Sequence, residues 1–215
     1  MLFLPRLLMR LFSSPLWRWL AQGCLTIGTL IALSACSPTY DWRQLQHPTY
    51  PYRALFPAKP VSATRAIPLA GADYPLSLQS AKIGDTLFAV AIVTSPAPTD
   101  RAQLEQIQQA LLLSWSTNIR AQHAVLPLTA PTRAGQPILH EIWQEARGEH
   151  QGQPYRLQLR SGLLPAGLIG PISPASATSA TGGGVYAALV IGPAAAWLPD
   201  QVDTFLQGFE LIQPH

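Results

Sequence analysis

Thr86-Leu87-Phe88-Ala89-Val90-Ala91-Ile92-Val93-Thr94 is an apolar run closed at each end by threonine. A short run with no polar position inside it fits a central strand covered on both faces. Gly84-Asp85 turns the chain just before it. Upstream, Tyr74, Leu76 and Leu78 alternate with Pro75, Ser77 and Gln79, the pattern of a half-buried strand that runs to Ile83. Gly71-Ala72-Asp73 is the next turn back, and residues 64–69 form a further strand. Arg53 to Phe56 is a short strand that stops at Pro57-Ala58-Lys59-Pro60, because proline brings no ladder donor. These segments predict an antiparallel meander.

Downstream, residues 95–98 break the sheet, and Thr99 or Asp100 caps a predicted helix running to about Asn118. Leu104, Ile107, Leu111 and Trp115 fall at helical spacing, with Arg101, Glu105, Gln106, Gln108 and Gln109 on the other side. A short strand is expected at 124–128. A hairpin follows, with strands at 138–147 and 154–163 around Gly148–Gln153. Placing Arg147 opposite Pro154 sets Glu145 against Arg156 and Glu141 against Arg160 on one exposed face, and gathers Ile142, Ala146, Leu157 and Leu159 on the other. Residues 165–184 hold three prolines and a Ser/Thr/Ala/Gly-rich run, and read as a flexible insertion. A strand at 185–191, a short helix at 199–207 with Val202, Phe205 and Leu206 inward, and a closing strand at 209–212 complete the chain. The expected fold is α+β, an antiparallel sheet covered by one long and one short helix.

The N-terminal part reads differently. Arg6, Arg10 and Arg18 precede a mostly apolar, uncharged stretch from 19 to 35, and no acid occurs before Asp41. That is the layout of a signal peptide, with Met1 or Met9 as its start. Leu33-Ser34-Ala35-Cys36 fills all four places of a bacterial lipobox. It predicts cleavage between Ala35 and Cys36 and acylation of Cys36, with two or three chains holding the protein firmly on a membrane. Ser37 is not aspartate, which by similarity to enterobacterial sorting favours the outer membrane, facing the periplasm. The organisation predicted is a signal peptide at 1–35, a proline-rich tether at 36–51 and one domain at 52–215.

Composition limits the rest. Of 14 basic residues against 11 acidic ones, the three arginines of the leader make the whole excess. The mature chain is neutral, which argues against nucleic acid as a partner. Its one cysteine, Cys36, leaves no intrachain disulfide and no thiolate metal site. The histidines His47, His123, His140, His150 and His215 show no zinc-ligand spacing, so no metal and no cofactor is expected. No Gly-x-Ser-x-Gly elbow is present, and Gly182-Gly183-Gly184 lacks the Lys-Ser/Thr of a phosphate loop. Glu141 and Glu145 imitate an acid pair, but the arginines opposite make them ion-pair partners rather than general acids. His140 is expected as a hydrogen-bonded interior residue. Trp143, between the two glutamates, is either an aromatic contact anchor or a side chain covered by the terminal helix or the insertion. Trp42, in the tether, either docks on the domain or meets a partner. With no catalytic residues, the chain reads as a non-enzyme.

Tyr40-Asp41-Trp42-Arg43, Phe56-Pro57-Ala58-Lys59-Pro60, Gly84-Asp85-Thr86-Leu87-Phe88-Ala89-Val90 and Asp203-Thr204-Phe205-Leu206-Gln207-Gly208-Phe209-Glu210-Leu211 resemble an uncharacterised group of proteobacterial lipoproteins. The element order is also similar to PsbP-like α/β/α sandwiches. That resemblance implies a non-enzymatic accessory or binding protein with an envelope protein as partner. The alternative is a periplasmic carrier of a small apolar ligand, with its cavity between the long helix and the sheet.

Overall fold

The computed structural model describes residues 39–95, 98–121, 126–128, 139–164, 166 and 182–212. Its centre is the pair β5 (Thr86–Thr94) and β9 (Gly184–Pro193), both buried along almost their whole length. They pair antiparallel, Ala89 opposite Leu189 and Ala91 opposite Ala187. On one side of them lie β4 (Ala72–Ile83) and the edge strand β3 (Val61–Leu69); on the other lie β8 (Gln153–Leu164), β7 (Leu139–His150) and β6 (Leu126–Pro127). All neighbours run antiparallel in the order β3-β4-β5-β9-β8-β7-β6. The meander of β3 to β5 is as expected, and Pro68 is tolerated because β3 is an edge.

Strand alternation sends Ala91, Val93, Val185 and Ala187 to one face, where the helix α1 (Arg101–Asn118) packs with Leu104, Ile107 and Leu111. Asp100 is its N-cap and accepts a hydrogen bond from Gln103 N–H at 2.8 Å. Phe88, Val90, Ile92, Tyr186, Ala188 and Val190 point to the opposite face. There the second helix, α2 (Pro199–Gln207), buries Val202, Phe205 and Leu206. The fold is therefore α+β, an antiparallel sheet with a long and a short helix. A small second sheet completes the α2 layer: β1 (Arg43–Gln46), β2 (Tyr52–Phe56) and β10 (Glu210–Leu211) in the order β1-β2-β10.

That small sheet corrects the expected tether. The compact unit begins at Tyr40, because Arg43 to Gln46 pair with β2, Arg43 opposite Phe56. The proline spacing that suggested a linker only interrupts the chain on either side of a strand. The hairpin register is also corrected. Arg147 lies opposite Arg156 and Glu145 opposite Gln158, two residues from the expected pairing. The connection is a two-residue turn at Gln151-Gly152, with φ of 53° and 78°. Positive φ at both positions matches the twist of the flanking strands better than a six-residue loop does. A shift of two keeps each side chain on its face, so the inside/outside pattern survives and the charge pairs meet diagonally. Most of the insertion expected at 165–184 lies outside the described residues. Its last glycines are no linker: Gly183 has φ +99°, and its carbonyl accepts from Ser95 N–H at 3.0 Å.

Candidate functional site

Ala35 and Cys36, the cleavage and acylation residues, lie outside the described residues. Trp42 is half-buried and docked on the domain. Its ring stacks on Tyr40 at 5.9 Å and meets the edge of Phe88 at 6.3 Å, and its Nε1 donates to Gln201 Oε1 at 3.2 Å. Trp143 is not a surface anchor. It is 6% exposed and belongs to the core beneath α2. The face that carries Trp143, Glu145 and Arg160 looks polar in sequence, yet α2 and the chain after it cover it.

Arg160 occupies the centre of that covered face with no exposed surface. Its Nε donates to Glu141 Oε1, and its Nη1 donates to the carbonyls of Leu206 at 3.3 Å and Phe209 at 3.0 Å. Its guanidinium also lies over the rings of Trp143 (5.5 Å), Tyr186 (5.8 Å) and Phe209 (5.5 Å). Tyr186 donates its hydroxyl to Glu141 at 2.8 Å and stacks on Phe209 at 4.6 Å. Burial holds the Tyr186 hydroxyl protonated well above the ordinary phenol range; Arg160 opposes that shift and Glu141 adds to it. Next to this cluster, Glu145 accepts from Arg147 Nε at 2.8 Å and Arg156 Nη2 at 3.0 Å, and Arg156 lies 4.8 Å over Trp197. The arrangement ties the C-terminal segment to the sheet. Glu141 and Glu145 each accept from arginine side chains of the fold, while among the described residues Arg156 Nε and Trp143 Nε1 are buried without a hydrogen-bond partner.

Arg160 was readable in sequence only as an exposed charge on a hairpin. A signal did exist: it sits in Leu157-Gln158-Leu159-Arg160-Ser161-Gly162-Leu163-Leu164, a strand whose later residues are apolar on both faces. Gln108 was missed in the same way. It is fully buried on α1, with its Nε2 donating to Ser161 Oγ at 3.1 Å. His140 is corrected: it is exposed, at φ 51°, with Nδ1 3.6 Å from Glu105, because the strand is irregular between Leu139 and Ile142. Among the described residues the buried histidine is His47, between β1 and β2. Its Nδ1 accepts from the backbone N–H of Thr49 (3.0 Å) and Tyr50 (3.1 Å), and burial lowers its pKa.

A cleft of about 280 Å³ opens between the edge strand and α1, lined by Arg65, Ile67, Leu76, Leu111, Trp115 and Asn118 among others. It lies where a carrier's cavity was expected and falls just below the usual size of small-molecule pockets, ~300–1,000 Å³. Among the described residues no three His, Cys, Asp or Glu side chains gather as metal ligands. Among the same residues no helix is long and apolar enough to cross a membrane. No known protein family, curated protein or solved structure matches the chain.

Proposed function

We propose that the protein is a lipid-anchored lipoprotein of the cell envelope, held at the outer membrane by acyl chains on Cys36 and facing the periplasm. Its domain acts as a non-enzymatic accessory protein that binds another envelope protein. The observation that carries this reading is the lipobox Leu33-Ser34-Ala35-Cys36 after a basic and then apolar leader, with a compact unit beginning four residues later at Tyr40. The similarity of its short motifs to proteobacterial lipoproteins and of its element order to PsbP-like sandwiches supports the accessory role.

The test is Cys36→Ser in cells. The unaltered protein is expected to incorporate labelled palmitate and to sediment with outer membranes, and the variant to do neither. If the variant still sediments at its uncleaved mass, the leader is a plain membrane anchor and the lipoprotein reading fails. The cleft beside Leu76, Leu111 and Trp115 also presents Arg65, Ser114 and Asn118, and its mostly polar lining speaks against the second reading, a carrier of a small apolar ligand. Native mass spectrometry of the purified domain decides it through the presence of a retained small molecule.

A further inference from the structure

We propose that one end of the sandwich lies against the bilayer that holds the acyl chains, and that a three-residue tether imposes this orientation. The orientation rests on acylation of Cys36 as proposed above. From Tyr40 onward the chain is clamped to the domain. Tyr40 stacks on Trp42 and meets Phe88 edge-on at 6.4 Å, Asp41 N–H donates to Pro57 O at 2.8 Å, and Trp42 bonds to Gln201. Only Ser37, Pro38 and Thr39 separate Cys36 from that clamp. Four residue steps reach at most ~14 Å even when fully extended. A unit the size of Tyr40–His215 has a radius of gyration of ~16 Å. The tether is therefore shorter than the distance from one end of the domain to the other, and the end that receives Tyr40 must stay near the lipid.

The topology identifies what else is at that end. Phe88 lies just past the Gly84-Asp85 turn, and β9 runs antiparallel to β5, so its exit at Gly192 reaches the same turn beside Thr86. The segment after β9, Ala194 to Leu198, and the first turn of α2, from Pro199 with Gln201 in it, follow directly. On the other flank, Lys59 and Val61 follow Pro57, whose carbonyl holds Asp41. Among the described residues the exposed large apolar side chains are Val61 (70%), Leu198 (50%) and Leu113 (67%). The first two are at this end, with the exposed Ala194–Ala196 beside Leu198. Leu113 is on α1, on the opposite face of the sheet. Lys59 and Lys82 are exposed near the same end. Asp41 and Asp85 are paired with Arg43 and Lys82, while Asp200 and Asp203 on α2 bring further negative charge. Net charge therefore does not drive the contact. Aliphatic tips entering the headgroup layer carry it, with lysine stems that lie along the surface and extend their ammonium groups to phosphate.

The test uses the full acylated protein, reconstituted in phosphatidylethanolamine/phosphatidylglycerol vesicles that carry a spin-labelled quencher at headgroup depth. Cys36 is blocked by its lipid, so Leu198→Cys and Leu113→Cys each accept one fluorophore. The expected result is quenching at least threefold stronger at position 198 than at 113. Equal quenching, with vesicle flotation retained and lost only in Cys36→Ser, overturns the orientation and leaves the anchor intact. Flotation that is missing, or indifferent to Cys36→Ser, overturns the anchor and with it the orientation. A ten-residue Gly/Ser insertion between Pro38 and Thr39 should keep flotation and bring position 198 down to the level of 113. If 198 stays strongly quenched, the short tether is not what orients the domain.

Discussion

Arg160 shows how one side chain can hold an element in place. A buried guanidinium loses its hydration and is tolerable only if its donors and charge are answered nearby. Glu141 answers the charge, and the Leu206 and Phe209 carbonyls answer two donors. Leu206 is in the last turn of α2, where a helix leaves carbonyls without intrahelical partners. Arg160→Leu removes one partner of a buried pair and should cost ~3–5 kcal/mol of unfolding free energy. Arg160→Lys should recover little, because an ammonium cannot span the same fork of acceptors. Urea unfolding of a chain beginning at Ser37 measures both, and a loss under ~1 kcal/mol for Arg160→Leu would show that the cluster does not hold the fold. His47 makes a pH-dependent contribution. Its Nδ1 accepts two backbone N–H groups, so a proton there would set donor against donor. Burial depresses its folded pKa below 6.5, so the unfolded chain binds more protons than the folded one below that pH. Stability should be full above about pH 6.5 and fall as pH drops through the lowered folded value; His47→Gln should flatten that slope in melting curves. Neither residue stood out in sequence, since the surroundings of a lone polar side chain are set by distant segments.

At the scale of elements, the limits of α1, α2 and β5 agree with their sequence patterns, because capping and periodicity are local properties. The β7–β8 register was less legible. Charge pairing is satisfied nearly as well by diagonal neighbours as by direct ones, so Glu145–Arg156 and Glu141–Arg160 could not separate two registers that differ by two residues. The turn separates them. Gly148, expected to begin the loop, instead lies inside β7, where the end of α1 crosses the strand. A Cβ at Gly148 would stand 2.0 Å from Ile119 O, and Glu149 N–H donates to that carbonyl at 2.6 Å. Gly148→Ala should therefore push the helix end off the strand, cost ~1–3 kcal/mol and speed amide exchange at Glu149. Unchanged exchange and stability would mean that α1 does not depend on this close approach.

Across the whole molecule, the small sheet joins the first and last described strands of the domain. β2 pairs with β1 on one side and β10 on the other, and Trp42 reaches α2. A chain shortened to begin at residue 40 should keep the stability of one beginning at 37. A chain beginning at 52 should lose at least ~2 kcal/mol, since the half-buried Tyr40 and Trp42 no longer cover Phe88 and each contributes about half of the ~1.5–3 kcal/mol of a fully buried side chain. Equal urea midpoints would return residues 40–51 to the role of tether. The sequence by itself determined the α+β class, the central strand, the two helices and the inside/outside alternation of the hairpin. Apolar period, caps and proline placement are written within a few residues of where they act. Only the tertiary structure decided that Tyr40 to Gln46 belong to the domain, that Trp143 and Arg160 are interior, and that His47 rather than His140 is the buried histidine. Those outcomes depend on which surface α2 and β10 come to cover, and that is settled by pairing between segments some 150 residues apart, such as Arg53 with Glu210.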